Sequence, residues 1–74
     1  MSEEGKPPGI NIEDVENLGV VEFEGQRAQL FRRDSDGEGR FRLELETSRG
    51  VRFALYGYFV RGGEFVEVDR ERLS

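Results

Sequence analysis

Between Val20 and Asp69 apolar and polar residues alternate in five short stretches, and every gap between them carries glycine. Period-two alternation bounded by turn residues marks half-buried strands. The pattern predicts strands over about 20–24, 27–33, 40–47, 51–60 and 64–69.

Each turn must keep the apolar residues on one face, because a slip of one residue sends every side chain to the opposite side. Gly25-Gln26 as a two-residue loop with glycine first suits a type II′ hairpin, with Phe23 opposite Ala28 and Val21 opposite Leu30. Ser48-Arg49-Gly50 suits a three-residue loop with a left-handed glycine; it sets Leu45 opposite Phe53, Leu43 opposite Leu55 and Phe41 opposite Gly57. Gly62-Gly63 as a two-residue loop sets Phe59 opposite Val66 and Gly57 opposite Val68. The longer connection Asp34 to Gly39 leaves Leu30 and Phe31 competing for the inside, and Leu30 is assigned there.

Upstream of the strands, Asn11 is placed as an N-cap, with Glu13 and Asp14 in the first turn, Ile10 and Val15 as a hydrophobic staple, and Gly19 closing the C-terminus. The helix spans about 12–18, too short to persist without a docking surface. Residues 1–9 hold little to bury and are expected to be extended or disordered. At the other end, Arg70 to Leu73 is read as a last helical turn with Leu73 closing the bottom of the sheet.

These elements give an all-β fold: a five-stranded antiparallel meander curled into a small barrel or roll, with a short N-terminal helix. Residues 10–74 form one small domain. The architectural analogy is to SH3-like and Sm-like barrels, whose closure removes most of the exposed sheet edge. Gly57, in the long fourth strand, marks a bend with Phe41 across it.

The fourth strand is apolar on both sides. Tyr56, Tyr58 and Val60 project away from the inner face, with Phe65 expected opposite Val60, and Arg42 and Arg40 opposite Tyr56 and Tyr58. Strands of that kind are normally covered on both sides. Three coverings are open: the N-terminal helix laid over the face through Ile12, Val15 and Leu18; a protein partner or second copy; or nucleobases stacked on the tyrosines, with Arg40, Arg42 and Arg52 on phosphates.

Charge bears on that choice. The net charge is −5, divided as −6 over residues 1–24, +3 over 25–63 and −2 over 64–74. An acidic chain opposes phosphate binding, and Glu46 opposite Arg52 makes that arginine a partner in a sheet salt pair. The expectation is therefore a non-enzymatic protein-interaction module, an adaptor, inhibitor or small subunit, binding a protein partner or another copy of itself through Arg40, Arg42, Tyr56, Tyr58 and Phe65. The alternatives are a single-stranded nucleic-acid-binding barrel using the same face, and an acidic inhibitor that occupies a partner's nucleic-acid cleft.

Other chemistry finds no support in the residues. There is no Cys and no His, so neither a disulfide framework nor the commonest metal ligand exists. Asp34-Ser35-Asp36-Gly37-Glu38-Gly39 has the composition of a calcium loop, but Leu45 stands where the bidentate acid belongs, so the stretch is read as a solvated turn. The pairs Glu22 with Glu24 and Glu44 with Glu46 are read as solvent-facing rather than catalytic. No cofactor, metal or small-molecule substrate is expected. With no apolar run of membrane length and no leader pattern, the expected location is cytoplasmic, without a membrane partner.

Overall fold

A computed structural model describes residues 9–74; the expectation for the tail falls, apart from Gly9, outside the described residues. The alternation folds as its period requires, into β1 (Val20–Phe23), β2 (Gln26–Ser35), β3 (Phe41–Thr47), β4 (Arg52–Phe59) and β5 (Phe65–Arg72), preceded by α1 (Ile12–Glu16). All neighbours are antiparallel, in the order β1-β2-β3-β4-β5. The sheet curls into a half-barrel, and its inner rows supply the core: Val21, Phe23, Ala28, Leu30, Leu43, Leu45, Leu55 and Phe65, joined by Ile10 and Val15. Phe41 and Phe53 lean on this cluster with Phe59, whose ring meets that of Phe41 at 5.0 Å and that of Phe65 at 5.2 Å. Among the described residues no helix is long and apolar enough to cross a membrane.

The β3–β4 hairpin has the expected register, Leu45 opposite Phe53, Leu43 opposite Leu55, Arg42 opposite Tyr56 and Phe41 opposite Gly57. Its loop closes as predicted. Gly50 at φ 84° donates its amide to the Thr47 carbonyl at 2.9 Å, and Thr47 donates to Val51 at 2.8 Å.

The other two short turns differ from expectation. In β1–β2 the loop residues are Glu24 and Gly25, at φ 52° and 80°, with Phe23 opposite Gln26 and Val21 opposite Ala28. Two left-handed residues make a type I′ turn, whose twist matches the strands it joins. The register moves by two residues, so the inner and outer faces survive.

In β4–β5 the loop is Arg61-Gly62-Gly63, with Gly63 at φ 91°, Gly63 donating to the Val60 carbonyl at 2.8 Å and Val60 donating to Glu64 at 2.9 Å. This repeats the Ser48-Arg49-Gly50 geometry and moves the register by one. Phe65, expected outside opposite Val60, therefore stands opposite Phe59 and is buried in the core.

A bulge opposite Tyr56 and Gly57 then restores the expected register, with Tyr56 opposite Asp69 and Leu55 opposite Arg70. Gly57 allows the crossing: a Cβ there would lie 1.9 Å from the Val66 carbonyl oxygen and 2.9 Å from Phe65 Cζ. A second bulge, between Leu30 and Arg32, resolves the competition in β2, since Leu30 is buried and Phe31 exposed.

The N-terminal segment docks on the inner side. Phe65 donates its amide to the Ile10 carbonyl and Ile12 donates to Gly63, at 2.8 and 2.7 Å, which carries Val15 into the core. The Asn11 side chain makes no capping bond, and the helix stops at Glu16, short of the expected 18. Leu18, not Gly19, takes the left-handed conformation at φ 50°; the amides of Leu18 and Gly19 return to the Val15 and Asp14 carbonyls, the Schellman pattern. At the C-terminal end the expected helical turn is strand through Arg72, and Leu73 is exposed.

Replacing Gly57 with Ala forces β5 away from β4. Gly57→Ala is expected to lower unfolding free energy by about 3 kcal/mol through overpacking, read from urea denaturation; an unchanged midpoint would remove Gly57 as the pivot of this hairpin.

Candidate functional site

The preserved β3–β4 register places Arg42, Glu44 and Glu46 on the outer face beside Arg52, Ala54 and Tyr56. The Tyr56 hydroxyl accepts from Arg42 Nε at 3.1 Å and donates to Glu71 Oε1 at 3.1 Å, while Arg42 Nη1 pairs with Glu44 Oε2. A polar chain thus crosses three strands, from Glu44 through Arg42 and Tyr56 to Glu71. Ala54, between Glu44 and Glu71 in register, is fully buried within this outer layer. The Tyr56 hydroxyl and the Glu44 carboxylate both favour the charged guanidinium and push the Arg42 pKa up. Arg52 is likewise committed, to Glu46 at 3.2 Å and to the face of Phe31 at 5.1 Å.

Of the five residues expected at the site, four lie on or beside the outer face, and only two of those remain open to a ligand. Arg42 and Tyr56 hold one another. Tyr58 is 43 % exposed, its hydroxyl has no hydrogen bond among the described residues, and Arg40 makes no ion pair among them. Arg40, Tyr56, Tyr58, Val68 and Asp69 line a notch of about 380 Å³. Phe65 contributes to the core and not to this surface.

Val66 and Val68, expected inside, have changed sides. Val66 stands opposite Tyr58, and the bulge leaves Val68 unpaired at 67 % exposure. Val68 and Tyr58 give the notch an apolar wall beside Arg40. The alternation itself concealed Val68, because a bulge inverts the side a residue takes without altering the sequence pattern. Phe31 is on the surface, as the assignment of Leu30 to the inside requires. With Val20 it lines a shallow concavity of about 550 Å³ over β2 and β3, and the adjacent apolar pair Leu30-Phe31 is the signal that the alternation breaks there.

The carboxylates are structural partners. Glu44, Glu46 and Glu24 pair with Arg42, Arg52 and Arg70 respectively. Among the described residues no group of three or more acids is placed to hold a metal ion. In the β2–β3 loop Asp36 Oδ1 accepts from the amides of Glu38 at 2.7 Å and Arg40 at 3.1 Å, and Ser35 Oγ accepts from Gly37 at 3.1 Å. This is the turn geometry expected of an Asp-Ser-Asp-Gly stretch. Those amide donors favour the carboxylate and hold the Asp36 pKa below its ordinary value of 3.8.

Comparison with protein-family models, curated proteins and solved structures finds no match for this chain.

Two outcomes test this geometry. Tyr56→Phe, which takes the hydroxyl from both Arg42 and Glu71, is expected to cost about 1 kcal/mol in chemical denaturation, with the sheet intact by circular dichroism. Because the Asp36 pKa is depressed on folding, its contribution to loop order is complete above the ordinary carboxylate value and is lost as pH falls through the depressed one. Amide exchange at Glu38 and Arg40 is expected to accelerate in that acid window, and Asp36→Ala to show the fast exchange at neutral pH.

Proposed function

We propose that this chain is a non-enzymatic protein-interaction module that binds a protein partner through the outer face at the β4–β5 edge, with Tyr58 as the anchor and Arg40 as the orienting donor. One observation carries the reading: Val15 carries α1 into the core, and Tyr58 and Val68 stay exposed where they line one notch beside Arg40. Exposed apolar side chains beside an arginine that makes no ion pair among the described residues suit protein association, in which tyrosine and arginine supply much of the binding energy. Tyr56 and Arg42 contribute by holding the floor of the notch rigid.

The nucleic-acid alternative is disfavoured by the same geometry. Arg42 and Arg52, two of the three arginines that would meet phosphates, are neutralised by Glu44 and Glu46, and phosphate affinity depends on unneutralised cations.

A photocrosslinking side chain at position 58 is expected to trap one polypeptide species that the same group at position 38 does not. Tyr58→Ala with Val68→Ser is expected to abolish that adduct while holding stability within about 0.5 kcal/mol, as for surface changes generally. Salt-sensitive binding of labelled single-stranded RNA or DNA, lost on Tyr58→Ala, would overturn the protein reading in favour of nucleic acid.

A further inference from the structure

A half-barrel keeps two edges. Among the described residues β1 and β5 end the sheet and do not pair with each other, so each leaves one side without a partner strand. The first part of the β5 edge is already occupied in cis, where Ile10–Ile12 lies against Gly63–Phe65 through two backbone hydrogen bonds and an antiparallel bridge at Asn11 and Glu64. Beyond Phe65 no strand among the described residues pairs with the side of β5 that faces away from β4.

In the gap sits the guanidinium of Arg70. It lies 4.9 Å from the Phe23 ring centroid and 5.7 Å from that of Phe53. It gives Glu67 two hydrogen bonds, at 2.5 and 2.9 Å, and reaches Glu24 Oε2 at 3.0 Å. Two aromatic faces and two carboxylates make a complete site for a planar cation. The side chain that fills it is 35 % exposed and belongs to an edge strand. Charge around the gap is unbalanced: Glu22, Glu24 and Glu67 line it with Arg70, a surplus of −2.

We propose that this seam binds an extended, arginine-bearing segment of a partner protein. The segment adds to the β5 edge past the Ile10–Ile12 stretch, and one of its guanidinium groups takes the site that Arg70 fills in the free protein. The backbone supplies the strand pairing, the acidic surplus selects a basic segment, and Arg70 acts as an internal competitor. This seam is distinct from the Tyr58 surface and does not depend on it.

The test is a titration of the full chain, followed by amide shifts, with a synthetic capped peptide of alternating valine and arginine, against the same peptide with citrulline for arginine. The arginine peptide is expected to move the amides of Glu22, Glu24 and Glu67 through Glu71 and the Arg70 Nε signal, and the citrulline peptide to leave them in place. Glu67→Gln is expected to weaken binding roughly tenfold by removing the two-point carboxylate contact. Arg70→Gln is expected to tighten it roughly tenfold, because a larger fraction of the sites is then open, and Tyr58→Ala to leave it unchanged. Still seam amides at millimolar arginine peptide, equal shifts with citrulline, or loss of binding on Tyr58→Ala would each overturn the proposal. The comparison of the two peptides on the unmodified chain decides the matter even if Arg70→Gln does not fold.

Discussion

The approach of the Val66 carbonyl to Gly57 sets most of what is distinctive in this molecule. With only 1.9 Å between that oxygen and the place a Cβ would occupy, β4 and β5 come together there only because the residue is glycine. Three consequences follow along β5. The Phe65 ring drops over Gly57 into the core, the bulge ejects Val68 to the outside, and the register beyond it brings Arg70 opposite Leu55, over the inner rings. The apolar notch around Tyr58 and the cation site at the seam thus have one structural origin.

Where sequence and structure agree, the reason is that the information is local. The three-residue loop at Ser48-Arg49-Gly50 needs one left-handed glycine, and the leucines on either side then have a single arrangement that buries them all. Leu30, Leu43, Leu45 and Leu55 are legible in this way, and so are Arg42 opposite Tyr56 and the Arg52–Glu46 pair. The disagreements are of another kind. Glu24 and Leu18 both adopt left-handed backbone, Glu24 together with Gly25 and Leu18 in place of Gly19. Glu24 is held by turn twist and by Arg70, Leu18 by the return of its amide and that of Gly19 to the helix carbonyls. Residue preference alone shows neither.

Phe65 is the instructive error at the site. Two glycines in succession allow either a two-residue or a three-residue loop, and the choice decides which side a phenylalanine takes. The loop adopted is the one that gives Phe65 the Phe59 ring on one side and the open backbone of Gly57 on the other. Burial of an aromatic ring outweighs the small difference between turn types, because full burial of a phenylalanine is worth roughly 2–3 kcal/mol.

Edge protection links the remaining features. A curled sheet of five strands leaves two rows of backbone groups that would template association with other chains. The chain answers with three devices: the Ile10–Ile12 segment on the start of β5, the bulge at Val68 that breaks the edge's regularity, and the Arg70 side chain across the gap to Glu24. They differ in strength. Ile10 and Val15 are anchored in the core and cannot leave without exposing it, whereas Arg70 is held by two rings and two carboxylates that any other guanidinium would satisfy equally well. The seam is therefore closed by a segment anchored in the core where β5 begins and by a single side chain, stacked on Phe23 and Phe53, where β5 ends.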